Sequence, residues 1–159
     1  MTAPIRLWIC AAHHPAFRCG GWATVRRVDG QVIGVAGGER KTTANRMALA
    51  GLVAALRGLP PGGTPILIET ASPELTALPD VLGGGQFTPD LDLDLWAQIL
   101  AVAKGRRLEV IQAAIRPETP MAFLTAWAER AMDTAKARGP FSAAIPKLNL
   151  SKTAGFGEG

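Results

Sequence analysis

The stretch from Lys41 to Leu59, KTTANRMALAGLVAALRGL, constrains the fold of this chain more than any other. Its large aliphatic side chains recur at helical spacing and form one apolar stripe: Leu49, Leu52, Val53 and Leu56. The alanines between them favour helix and allow close packing. Thr42 and Thr43 are candidate caps, because a threonine hydroxyl accepts hydrogen bonds from the free amides of a first turn. The two prolines that follow cannot continue a helix, so we predict a buried helix that ends with this stretch.

Three strands are predicted before this helix. Ile5–Cys10 is an apolar run, and the small and polar residues of Ala11–Cys19 predict a loop after it. Gly20–Arg27 and Gln31–Gly37 form the next two strands. The Asp-Gly pair between them is a strong hairpin signal.

Helices and strands alternate after the long helix. The pattern predicts these elements in order: a strand at Thr64–Thr70, a short helix from a Ser72 cap to Leu78, a helix at Leu93–Lys104, a strand at Arg107–Ala113, and a helix at Pro120–Arg138. We expect Gly83–Thr88 to be flexible and residues 140–159 to be a flexible Pro/Gly-containing tail after a domain of residues 1–139. The order β-β-β-α-β-α-α-β-α predicts an α/β (α+β) fold, with a five-stranded mixed sheet and helices on both faces.

The bulk composition is that of a folded domain. The length of 159 residues suits one domain, and 48% of the residues are hydrophobic, enough for a core. The net charge of +4 permits nucleic-acid binding without requiring it. No apolar run approaches the roughly 20 residues that span a bilayer, and no secretion signal begins the chain. Two cysteines do not make a disulfide framework. We therefore expect a cytoplasmic protein with no membrane partner.

The start of the long helix resembles a motif of the ribonuclease HI family. There, Thr-Thr-Asn-Asn-Arg-Met-Glu-Leu opens the first long helix; here residues 42–49 are TTANRMAL. Three weaker matches occur in the family's order: Gly20-Gly21-Trp22-Ala23, Asp94-Leu95-Trp96 and Ala128-Glu129-Arg130-Ala131. The resemblance runs from about Leu7 to Ala137 and implies an RNase H-like fold.

The resemblance fails at the residues that carry the family's chemistry. Active members hold two magnesium ions with four carboxylates, since magnesium prefers hard anionic oxygen. The matching positions here are Cys10, Ala48, Thr70 and Ala128. Glu69 is a possible displaced acid, although a shift of one residue along a strand turns a side chain to the opposite face. The loop before the last helix also lacks the family's histidine. The sequence therefore indicates a divergent member without the catalytic carboxylates, and a magnesium cofactor is expected only if displaced ligands restore an enzyme.

The substrate-contacting residues of the family are partly kept. The resemblance implies nucleic-acid contacts at Thr43 and Asn45, and neighbouring cations extend the surface: Arg26, Arg27, Arg40, Lys41 and Arg46. The alternative is that Thr43 caps the helix, Asn45 braces a loop and the cations form a solvated face. The family's basic protrusion falls on residues 82–92, which contain no lysine or arginine. Binding to an RNA–DNA hybrid or other duplex is therefore expected to be weak.

A second cluster could bind a soft metal. Cys10, His13, His14 and Cys19 include both histidines of the chain, and zinc takes Cys and His ligands. The spacing C-x2-H-H-x4-C is not a standard zinc pattern. The alternative is a buried Cys10, an inert Cys19 and a surface histidine pair.

Three hypotheses follow, in this order. The first is a catalytically inactive RNase H-like protein that still binds nucleic acid or a protein partner. The second is a working RNA–DNA hybrid ribonuclease with displaced ligands. The third is a structural or assembly module that uses the sheet edge and the tail. Fold alone does not decide among them.

Overall fold

The structure is a computed structural model that describes residues 4–60, 62–82, 91–153 and 155–156. Within these residues one six-stranded sheet has the order β5-β4-β1-β2-β3-β6. The strands are β1 (Ile5–His14), β2 (Cys19–Val28), β3 (Gln31–Glu39), β4 (Ile66–Thr70), β5 (Leu108–Gln112) and β6 (Phe141–Ile145). The helices are α1 (Ala44–Leu56), α2 (Leu78–Leu82), α3 (Leu93–Ala103), α4 (Pro120–Arg138) and α5 (Lys147–Ser151), with a 3-10 turn at Pro73–Leu75. The predicted mixed α/β fold is confirmed.

The sheet combines an antiparallel meander with parallel strands. β1, β2 and β3 pair antiparallel in sequence order, and the β2–β3 turn is the predicted Asp-Gly hairpin. Asp29 and Gly30 both have positive φ angles, 51° and 79°, as expected of a type I′ turn. β4 pairs parallel to β1, and β5 parallel to β4.

Alternate residues of β1 divide the core into two layers. Ile5, Leu7 and Ile9 pack with α1 and α3 on one face of the sheet. Trp8 and Cys10 pack with α4 on the other face. Side chains alternate across a strand, so β1 serves both layers, and the helices lie on both faces as predicted.

Two glycines bring both helices close to β2. A Cβ on Gly20 would lie 2.5 Å from Cγ of Met47 in α1. A Cβ on Gly21 would overlap the backbone of α4, at 2.5 Å from the amide nitrogen of Met132. The glycine pair therefore lets one helix approach each face of β2. Through Gly20 and Met47, the Gly-Gly-Trp motif lies close to the motif that opens α1.

Several predicted boundaries differ from the structure. β1 continues to His14 through residues predicted as a loop, because residues 11–14 pair with β2. α1 ends at Leu56, where Gly58 takes a φ of 74°, so a glycine ends the helix before the prolines do. Ser72 precedes a 3-10 turn without a side-chain cap. The predicted flexible segment Gly83–Thr88 lies outside the described residues.

The predicted flexible tail is wrong where the structure describes it. Residues 141–145 form β6, which pairs antiparallel with β3 and makes the sheet six-stranded instead of five-stranded. Leu150 and Phe156 are buried in the core on the α4 face. The boundary after residue 139 therefore does not separate a folded part from an unpacked one. No helix among the described residues is long and apolar enough to cross a membrane.

Candidate nucleic-acid interface

Cys10, which the resemblance matches to the first carboxylate, is part of the core. It is 2% exposed, and its Sγ lies 3.1 Å from Oγ1 of Thr125 in α4. Burial is the largest cause that raises the pKa of the Cys10 thiol, against a lowering by the hydrogen bond to Thr125. The group is therefore a neutral thiol at pH 7.

The two alanine positions are fully buried on opposite faces of the sheet. Ala48 packs in the core beneath α1, and Ala128 packs in the core beneath α4 with Cys10. The structure thus brings Cys10 and Ala128 into one cluster and places Ala48 in the other. A carboxylate at either alanine would enter a packed apolar layer.

Thr70, which the resemblance matches to another carboxylate, forms an internal bridge. Its hydroxyl donates to the carbonyl oxygen of Ile9 at 2.7 Å and accepts from the amide of Ser72 at 3.0 Å. The neighbouring Glu69 pairs with Trp8 in register and lies 3.8 Å from Arg6 in an ion pair. Thr70 therefore ties the end of β4 to the middle of β1, while Glu69 belongs to the other face.

A small cavity lies where β1 and β4 end. Its volume is about 150 Å³, and its lining includes Cys10, His13, Ala44, Ser72 and Glu74. Among the described residues, no group of three or more His, Cys, Asp or Glu side chains could hold a metal ion. Magnesium needs several hard oxygen ligands, so the residues at the family's ligand positions do not fit the two-metal centre.

The expected nucleic-acid contacts lie at the start of α1. The side chain of Thr43 accepts from the amide of Arg46 at 3.1 Å and so caps the helix. Asn45 donates through Nδ2 to Oδ2 of Asp92 at 2.9 Å. Asn45 thus braces the start of α3, which is the structural alternative predicted from the sequence.

Arg46 is held by three carboxylates. It donates to Oδ1 of Asp92 at 3.1 Å and to both oxygens of Asp94 at 3.1 and 2.9 Å, and it lies 3.7 Å from Glu39. The hydrogen bond to Asp94 is the largest cause that raises the pKa of Arg46. In turn, the hydrogen bond from Arg46 lowers the pKa of the Asp94 carboxyl. A phosphate would have to compete with these acids for the guanidinium.

Three other candidate cations make internal contacts as well. Arg40 donates to the carbonyl oxygens of Ala135 and Lys136 at the end of α4, both at 3.0 Å. Arg27 donates to the carbonyl of Phe156 at 3.0 Å, and Arg26 donates to that of Arg57. Lys41 is exposed beside α1. Because these arginines make internal contacts, the basic surface is smaller than the number of cations in the sequence suggests.

The predicted zinc ligands do not form one site. Cys10 and Cys19 are both buried free thiols. Nε2 of His13 lies 2.9 Å from the carbonyl oxygen of Thr42, and Nδ1 of His14 accepts from the amide of Phe17 at 3.4 Å. The histidines therefore have separate partners in the loop and at the start of α1.

Sequence reasoning missed the acidic side of this interface. Asp92 lies in the predicted loop without lysine or arginine, and Asp94 lies in the Asp-Leu-Trp motif, but the sequence links neither residue to Asn45 or Arg46. These partners lie 46 to 48 positions apart in the chain. The charges alone do not show which residues pair, because the pairing depends on how α3 packs against α1.

Comparisons with known proteins identify the fold. No family model matches the chain, and no curated protein gives a significant match. The N-terminal RNase H domain of a Mycobacterium tuberculosis protein is 19% identical, with a TM-score of 0.61 over 86% of this chain and 98% of that one. LC11-RNase H1, solved with an RNA/DNA hybrid, is 16% identical, with a TM-score of 0.63 over 82% and 98%.

A third solved structure gives the same result. RNase H1 from the halophilic archaeon Halobacterium salinarum is 20% identical, with a TM-score of 0.56 over 84% of this chain and all of the other. The chain therefore has an RNase H-like fold. At these identities the likeness extends to the fold and leaves the activity open.

Proposed function

We propose that this chain is a catalytically inactive RNase H-like domain that binds duplex nucleic acid weakly. The observation that carries the proposal is the chemistry of the four ligand positions. Cys10, Ala48, Thr70 and Ala128 are all buried and carry no charge at neutral pH. Two-metal hydrolysis needs anionic ligands that hold both ions around the phosphate. These side chains supply none, so no hydrolytic step is assigned to this site.

The nucleic-acid part of the proposal rests on the start of α1. LC11-RNase H1 and a foamy viral protease-reverse transcriptase with a similar fold were solved with RNA/DNA hybrids. The resemblance of residues 42–49 to the family motif supports contacts at Thr43 and Asn45, with Arg46 beside them, and the chain carries a net charge of +4. Asp92 and Asp94 hold Arg46, and we expect them to weaken phosphate binding by competition and by like-charge repulsion.

The test is a titration of a fluorescein-labelled RNA–DNA hybrid, followed by anisotropy at several salt concentrations. We expect a Kd weaker than about 1 µM at physiological salt and a steep loss of binding as salt rises. The double variant Asp92→Asn/Asp94→Asn should bind about 3- to 10-fold more tightly, because it frees Arg46 from its partners.

A matched control separates this release from the change in net charge. Glu118→Gln/Asp133→Asn removes two negative charges at exposed positions away from Arg46, and we expect it to gain much less affinity. Equal gains in both double variants would show that Arg46 is not the contact. Nanomolar wild-type binding at physiological salt would contradict weak binding, and no binding at low salt would contradict a nucleic-acid role.

The alternative of an active ribonuclease with displaced ligands depends on Glu69. Its carboxylate is paired with Arg6, on the face opposite to Thr70. A second candidate acid is Glu74, which lines the small cavity. These acids would have to converge with others that the described residues do not place there, so this alternative ranks second.

The alternative of an assembly module is favoured by the edge strand β6. Ser142, Ala143 and Ala144 are exposed and uncharged, and they lie on the outer strand of the sheet. Unprotected edges of this kind pair readily with another strand. Light scattering across a concentration series tests it: a mass that rises with concentration in wild type, and not in Ala144→Lys, would favour assembly.

A further inference from the structure

A second, larger cavity lies on the α1 face of the sheet. Its volume is about 650 Å³, within the range of about 300–1,000 Å³ typical of small-molecule sites. α1 forms one wall through Ala50, Val53 and Ala54, and β2 and β3 form the floor. Pro140, Phe141 and Ser142 add the far rim. The cavity exists because α1 covers β1 and β2 but leaves the same face of β3 and β6 open.

The middle of this cavity is apolar. Trp22, Val53 and Leu95 contribute large, mostly buried side chains, and Ile33 remains 38% exposed at the opening. Thr24 is the polar side chain of the floor, but its hydroxyl donates to the carbonyl of Trp8 at 3.1 Å. The floor therefore offers a ligand mainly apolar contact area and few hydrogen bonds. An occupant would bury an apolar body there.

The charge of the lining is positive. Arg26 and Arg57 both line the cavity, and among the described residues no carboxylate forms an ion pair with either one. The guanidinium of Arg26 donates to the neutral carbonyl of Arg57, which leaves its charge uncompensated. The acidic lining residue, Glu39, lies 3.7 Å from Arg46 in an ion pair. The lining thus carries two unpaired positive charges beside an apolar floor.

We propose that this cavity binds a small amphiphilic anion, with an apolar body over Trp22 and Val35 of the floor and against Val53 of the wall, and an anionic group at Arg26 and Arg57. A carboxylate or sulfonate accepts several hydrogen bonds from a guanidinium in a planar arrangement. A neutral apolar molecule would leave both cations without a partner. A polyanion would meet the apolar floor, which cannot replace its water. The ligand class is therefore a monoanion with an aryl or acyl body.

The test uses 8-anilinonaphthalene-1-sulfonate as a fluorescent probe on the full-length chain. The folded protein should enhance its emission with saturable, one-site binding, and decanoate should displace it more effectively than decanol. Ala54→Phe fills the cavity wall and should abolish this site. Ala101→Phe makes the same change at an exposed position of α3 and should bind the probe as the wild type does.

A charge pair of variants tests the anionic end. Arg57→Gln should weaken probe binding about 3- to 10-fold, whereas Arg107→Gln, which does not line the cavity, should change it little. Circular dichroism and thermal melting check the fold of each variant, and Ser142→Leu on the opposite rim replaces Ala54→Phe if that variant does not fold. Unchanged binding in a folded cavity-filling variant, or equal loss in both arginine variants, would overturn the proposal.

Discussion

Single side chains at the start of α1 have structural partners that the family resemblance does not describe. Thr43 caps the helix, Asn45 holds Asp92, and Arg46 joins three acids from β3 and the start of α3. These contacts are made within the folded chain itself and need no nucleic acid. The same reasoning applies to Thr70, which links two strands.

The cap at Thr43 gives a prediction at this scale. Thr43→Ala removes the acceptor that lies 3.1 Å from the amide of Arg46, and we expect a loss of about 1 kcal/mol in the free energy of unfolding. Thr119→Ala is the comparison, because Thr119 caps α4 with a longer contact of 3.4 Å. Urea denaturation should show the larger loss for Thr43→Ala. A loss near zero at Thr43 would mean that the cap does not stabilise the folded state.

At the scale of helices and strands, the local pattern predicted the elements whose ends are marked by capping or turn residues in the sequence. α4 begins at Pro120 and ends at Arg138 as predicted, since Thr119 and Gly139 mark its ends. The Asp-Gly hairpin was predicted for the same reason. β6 could not be predicted, because its run of five residues, FSAAI, is short, has only small residues in its middle and lies between two prolines. Pairing with the exposed edge of β3 makes them a strand, and that edge is a property of the assembled sheet.

The candidate site likewise has features that the sequence predicts and features that it does not. The absent carboxylates and the Thr43 cap were accessible from the sequence, because each depends on the residue type at one position. The ion pairs of Asp92 and Asp94 with Arg46 could not be predicted from the sequence, because they depend on the packing of two helices that are distant in the chain. The larger cavity was not accessible from the sequence either, since it arises where α1 stops covering the sheet.

The packing of the C-terminal segment is tested at Phe156. This side chain is 1% exposed and makes edge contacts with Trp8 at 5.1 Å and Phe123 at 5.5 Å between ring centroids. Phe156→Ala should lower the free energy of unfolding by about 3–5 kcal/mol. Leu148→Ala, in the same segment but 75% exposed, should change it by less than about 0.5 kcal/mol. Equal and small effects in chemical denaturation would restore the view of this segment as a tail.

The close approach of α4 to β2 is tested at Gly21. A Cβ there would overlap the α4 backbone, whereas a Cβ on Gly63 would meet nothing within 4 Å. We expect Gly21→Ala to cost about 1–3 kcal/mol in stability through overpacking and Gly63→Ala to be close to neutral. Thermal melting of both variants gives the comparison. A fully stable Gly21→Ala would show that α4 packs less tightly than the structure indicates.

At the scale of the whole molecule, an RNase H-like fold is present with a neutral core at the four positions that the resemblance matches to metal-binding carboxylates. The helices, the mixed sheet and the start of α1 are kept, and the core continues through Cys10, Ala48, Thr70 and Ala128. The fold thus supplies a surface and a scaffold. The proposed function therefore assigns no two-metal hydrolysis to those four residues.

Hybrid cleavage tests this account most directly. Purified protein is incubated with an RNA–DNA hybrid labelled on the RNA strand, with magnesium or manganese, alongside the variants Glu69→Gln and Glu74→Gln. The account predicts no metal-dependent cleavage above the buffer control in any sample. Metal-dependent cleavage that follows the protein through purification and is lost in Glu69→Gln or Glu74→Gln would contradict it.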